Sequence, residues 1–198
     1  MRQRLLIVIA ALLALGIVAV YSASSVAALQ GYGHSLYFVK RHVLAIAVGL
    51  ALSLGCLAVP YDTLRRLAKW LLAASLILLA LVCVVGSEVG GARRWFHLGR
   101  WSLQPSEFAQ LALVLYLADA LARKGANIHR FAHGVLPLLV VTGGASGLVL
   151  VQPDLGTAIV MGAVAMLLLV VAGARRRHLA GVFAVAAVAV IVLIAGAE

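Results

Sequence analysis

Between two long apolar runs lies GGARRWFHLGRWSLQPSEFAQ, residues 90–110, which brings together Arg93, Arg94, Arg100 and Glu107. A guanidinium presents a planar fork of N–H donors that takes carboxylate or phosphate oxygens two at a time. Lys40 and Arg41, at the head of an earlier apolar segment, add two cations of the same use. On one face of a membrane these charges would hold a diphosphate carried by a lipid. Contact of snorkelling side chains with lipid headgroups is the plainer alternative, and spacing alone leaves both open. Pro105 suits the first position of a helix and sets Glu107 at its third. There the carboxylate either reaches back to free backbone amides or partners Arg93 or Arg94 at the mouth of a cavity. Asp154, in VQPDLGT, has the same double reading. It caps a helix with Thr157 close by, or it lines a polar cavity.

The elements that must position these residues are written in the hydropathy. The chain is 65% hydrophobic with a mean hydropathy of +1.13, well above the roughly 45–50% apolar content of soluble domains. Seven apolar segments are expected, at about 5–29, 38–59, 70–87, 106–122, 134–152, 155–174 and 179–197. A bilayer crossing needs about 20 apolar residues. The fold class is therefore all-α, a polytopic transmembrane helix bundle read as one domain over 1–198. The fifth and sixth segments come from one apolar stretch, and Pro153 and Gly156 break it. The start, with Arg2, Arg4, an apolar run and SASSVAA, has the pattern of a secretory signal. Residues 5–29 are long enough to span, so an uncleaved first helix is expected.

With the N-terminus in the cytoplasm, eleven Lys and Arg residues fall inside and five outside. This matches the bias against translocating cationic loops. Lys40, Arg41, Arg93, Arg94 and Arg100 are the five exceptions, and VQPDLGT faces the same outer side. The net charge of +10 is spread between the apolar runs rather than gathered on a soluble face, so no nucleic-acid partner is read from it. Cys56 and Cys83 lie within apolar runs and read as small buried side chains. Gly143 and Gly147 form a small-xxx-small pair that would let a neighbouring helix approach. Trp70, Trp95 and Trp101 fall at segment ends, as interfacial aromatic rings do. Asp119 stands four residues before Arg123 and would pair with it along one helix. The histidines lack metal-ligand spacing and Ser24 and Ser25 lack an adjacent base. Cofactor use is left unknown, a divalent cation being possible without a visible motif.

Several ordered stretches together resemble one family. FVKRH, GARRW…LG…QPSE, LARKG, QPDLGT and AGARRRHL follow one another as in the SEDS proteins of shape, elongation, division and sporulation, typified by FtsW, RodA and SpoVE. LARKG is more like the division members, FtsW. The resemblance implies a ten-span fold in the bacterial cytoplasmic (inner) membrane, placed at the division septum for an FtsW-like member. It implies a peptidoglycan glycosyltransferase that polymerises lipid II, the undecaprenyl-pyrophosphate-linked disaccharide peptide, into glycan strands. It also implies a class B penicillin-binding protein transpeptidase and other division proteins as partners. Lys40, Arg41, Arg94, Glu107 and Asp154 match motif positions of the family and join Arg93 as candidate substrate-binding residues.

Two departures are visible. Gln110 stands where the family usually has Lys, and His97 where many members have Asp. The family's catalytic Asp belongs to an external loop beyond the position matched by Glu198, so no catalytic residue is assigned in this chain. The chain is expected to be an N-terminal portion that is inactive alone. Two other functions fit the same charges: a lipid II flippase, in which Arg and Glu neutralise a headgroup in transit, and a non-catalytic divisome scaffold.

Overall fold

The computed structural model describes residues 2–89, 92–98 and 101–195. Arg100 lies outside them. Among the described residues there are seven α-helices: α1 Arg2–Tyr32, α2 Tyr37–Leu57, α3 Tyr61–Val85, α4 Pro105–Lys124, α5 Leu136–Val151, α6 Leu155–Val171 and α7 Arg176–Ala195. Among the described residues, Gln3–Tyr32, Tyr37–Leu57, Tyr61–Val85 and Phe131–Val151 are long and apolar enough to cross a membrane, and Leu155–Val171 is a shorter apolar helix. The chain is a multi-pass bundle. Contacts divide it into two compact units, Met1–Pro60 and Tyr61–Glu198.

The first unit is the pair α1 and α2. Their junction carries an aromatic cluster: Tyr32 stacks on Tyr37 with ring centroids 4.0 Å apart, and Phe38 sits edge-on to both. Leu, Val and Ile side chains along α1 and α2 are largely exposed, as suits a lipid solvent that does not expel them. Cys56 is exposed rather than buried, because α2 has no buried residue, and Cys83 is half-buried; both are free thiols.

In the second unit, α3 packs on α4, α5 on α6, and α4 on α6. The buried faces repeat at helical spacing: Leu72 and Leu79 on α3, Ala109, Leu113 and Leu117 on α4, Leu138, Ala145 and Val149 on α5, and Ala158, Met161 and Leu169 on α6. Small and large residues alternate, which lets helices approach where no hydrophobic drive separates protein from lipid. Two polar side chains within the spans bond back to their own helix. Ser75 donates to the Leu71 carbonyl at 2.7 Å and Thr142 to that of Leu138 at 2.9 Å. Gly143 is exposed and Gly147 half-buried, and a Cβ added to either would meet nothing within 4 Å. The expected glycine seam is therefore not the packing face of α5. The stripe through Ala145 is, because it turns toward the core while Gly143 turns away.

Two features depart from the hydropathy reading. Helix α3 starts at Tyr61, well before its apolar run, so Arg65, Arg66 and Lys69 sit on the helix rather than in a loop. Hydropathy ends where charge begins; Arg, Lys and Leu are all good helix formers. The loop between α3 and α4 is also structured. Strands β1 Ser87–Val89, β2 Ala92–Leu98 and β3 Trp101–Leu103 form an antiparallel sheet in the order β1-β2-β3.

Candidate functional site

The sheet organises the arginine-rich loop. Across β1 and β2, Ser87 faces Trp95, Glu88 faces Arg93 and Val89 faces Ala92. One step on β1, from Ser87 to Glu88, answers two on β2, from Trp95 to Arg93. Arg94 is the extra residue of a β-bulge, a device that bends a strand and re-aims a side chain. Arg93 is in register with an acidic partner: its Nε lies 3.8 Å from Glu88 Oε2, and its Nη1 donates to the Val84 carbonyl at 3.4 Å. That ion pair is exposed and contributes little by itself. Arg94 is half-buried and has no hydrogen-bond or ion-pair partner among the described residues.

A cavity of about 320 Å³ opens beside the hairpin, lined by Cys83, Glu88, Ala92, Arg93, Gln152 and their neighbours. Gln152 was not singled out in the sequence, yet it is only 2% exposed and ties the end of α5 to the end of α3, its Nε2 donating to the Leu79 carbonyl at 3.1 Å. Its Oε1 is buried without a hydrogen-bond partner among the described residues. A buried acceptor left unmatched is costly. The Gln-Pro-Asp run beside the break was the available signal.

Asp154 caps α6. Its Oδ1 accepts from the Thr157 amide at 3.2 Å and its Oδ2 from the Thr157 hydroxyl at 2.8 Å. It also accepts from Gln104 Nε2 at 3.2 Å, joining the start of α4 to the start of α6. Pro105 opens α4 as expected. Gln104, at the N-cap, makes no side-chain cap bond, and Glu107 in the first turn is exposed. Among the described residues Glu107 neither caps the helix nor pairs with Arg93 or Arg94. Arg93 lies against Glu88 instead, because the strand register puts them opposite one another. His97 is exposed on β2, opposite Ser102, and Gln110 is half-buried on α4.

Lys40 and Arg41 are exposed in the opening turns of α2 and belong to the first unit. The described residues contain no group of three or more His, Cys, Asp or Glu arranged to hold a metal ion.

The FtsW/RodA/SpoVE family model, described as cell cycle protein, matches residues 3–198. The chain belongs to this family. It is 41% identical over 179 residues to the probable peptidoglycan glycosyltransferase FtsW of Trichlorobacter lovleyi, covering 89% of this chain and 47% of that one. It is 38% identical over 176 residues to stage V sporulation protein E of Bacillus subtilis, covering 88% and 48%. Among solved structures, Thermus thermophilus RodA is similar with a TM-score of 0.67 at 37% identity, over 89% of this chain and 58% of that one. A chain from a peptidoglycan synthase complex, described for its coordination of polymerization and crosslinking, is similar with a TM-score of 0.66 at 38% identity, over 87% and 51%. The chain thus spans about half the length of the curated relatives it matches. As an FtsW/RodA/SpoVE member it is a multi-pass bacterial membrane protein.

Proposed function

We propose that this chain forms the substrate-holding part of an FtsW-like peptidoglycan glycosyltransferase, which polymerises lipid II during cell division. The observation that carries the reading is its 41% identity, over 89% of its length, to a relative named for that activity. The hairpin supplies a physical reason. In the reaction a GlcNAc hydroxyl of one lipid II attacks the sugar carbon that bears the pyrophosphate of another. A new glycosidic C–O bond forms, the C–O bond to undecaprenyl pyrophosphate breaks, and the hydroxyl proton passes to a base, which is not assigned to this chain. The leaving group collects negative charge. Arg93 at the cavity and Arg94 on the bulge offer guanidinium donors to that charge.

The reading places the N-terminus in the cytoplasm of an inner-membrane protein at the septum, with the hairpin outside; the eleven-to-five distribution of Lys and Arg supports that orientation. Lys40, Arg41, Glu107 and Asp154 complete the candidate set, Asp154 as the residue that holds α4 to α6. A class B penicillin-binding transpeptidase is the proposed partner, supported by the likeness to a synthase complex that couples polymerization to crosslinking.

The test puts residues 3–198 in place of the matching half of the Trichlorobacter lovleyi relative and supplies lipid II to the outer face of proteoliposomes. Glycan polymer is expected. A chimera that inserts normally and moves lipid II between leaflets without polymer would overturn the reading in favour of transport.

A further inference from the structure

The end of the second unit remote from the hairpin carries a second polar cavity, of about 420 Å³, between the start of α3 and the end of α4. Along α3 the two cavities, at Arg65 and Cys83, are separated by roughly 27 Å at 1.5 Å per residue. At the centre of this cavity is Asp119, 5% exposed on α4. Arg123 takes its Oδ2 at 2.6 Å, as the i,i+4 spacing predicts, and Arg65 of α3 takes its Oδ1 at 2.9 Å. Both carboxylate oxygens are thereby occupied, while each guanidinium keeps further N–H donors. Arg66 and Lys69 line the same cavity and have no carboxylate partner among the described residues. With Asp62 included, the lining holds four cations against two carboxylates.

The surroundings identify what such a site would take. Trp70 is 64% exposed beside the cavity, with Lys69 Nζ 5.2 Å from its ring centre. Leu67 and Leu71 are exposed on the same helix, which is long and apolar enough to span a bilayer. A cationic recess at the end of a spanning helix, with an interfacial tryptophan and leucines on its flank, matches a molecule with a phosphate head and a hydrocarbon tail.

We propose that the cavity lined by Arg65, Arg66, Lys69 and Arg123 binds the phosphate of an anionic membrane phospholipid, whose chain lies along Trp70 and the exposed leucines of α3. Asp119 is a positioning residue: it fixes two of the arginines and leaves their remaining donors, with Arg66 and Lys69, for the ligand.

The purified chain in detergent, titrated with phosphatidylglycerol or zwitterionic phosphatidylethanolamine and read by native mass spectrometry, tests this. Selective retention of phosphatidylglycerol is expected, reduced about tenfold or more in the R66Q/K69Q variant. The charge-preserving R66K/K69R variant should retain it. Arg66 and Lys69 are exposed, so the variants should keep the parent's helical circular dichroism. Equal retention of the two lipids, or an unchanged R66Q/K69Q variant, overturns the proposal. Release of the lipid by millimolar inorganic phosphate, with no preference between lipids, overturns the lipid assignment in favour of soluble phosphate.

Discussion

Arg93 and Arg94 are neighbours in the chain but not equivalents. The ladder pairs Arg93 with Glu88 and leaves Arg94 as the unpaired residue of a bulge. In the proposed reaction Arg94 therefore has the freer guanidinium for a pyrophosphate. In the full-length chimera, Arg94→Ala should weaken lipid II binding about tenfold while leaving membrane insertion unchanged. Substrate affinity equal to the parent's, in a binding titration, would remove Arg94 from the site. That these arginines cluster between apolar runs was legible in the sequence, and spacing alone left open whether they meet lipid headgroups or a bound diphosphate. Their division of labour was not legible. It depends on a register shift against Ser87-Glu88, and no single-residue property encodes which of two adjacent arginines falls out of the ladder. Gln152 escaped notice for a related reason: its importance lies in being buried with an unmatched oxygen.

The helices were readable because lipid imposes a length and a composition on them. Their contacts were less so. Gly143 and Gly147 have the spacing of a packing seam, yet the face that packs contains Leu138, Thr142, Ala145 and Val149. In a helix that is apolar all round, periodicity does not say which side meets protein and which meets lipid. The distinction is measurable. Ala145→Leu, at a site with no exposed surface, should destabilise the α5–α6 contact by about 1–3 kcal/mol. Gly143→Ala should not lower stability, since nothing lies within 4 Å of the new methyl. Unfolding in mixed micelles compares the two, and similar losses in both would restore the glycine seam. The Asp119–Arg123 pair was visible from spacing along one helix, whereas Arg65 joins it from a different helix, 54 residues away.

For the molecule as a whole, helix order and side-chain pairing agree on an alternating path through the second unit. The start of α3 meets the end of α4 at Asp119, and the start of α4 meets the start of α6 at Asp154. The proposed orientation puts the hairpin outside. With Cys56 and Cys83 replaced by Ser, a membrane-impermeant maleimide should label Ser102→Cys in intact cells, and Asn127→Cys only after permeabilisation. Reversed labelling would invert the arrangement and detach the arginines from an external substrate. One consequence concerns α4. It is pinned at both tips, to α6 through Gln104 and to α3 through Asp119. A rod fastened in this way cannot tilt alone. Any rearrangement at the hairpin that moves the head of α4 must either drag its foot or snap a fastening, so the two leaflet-facing ends of the unit are mechanically joined.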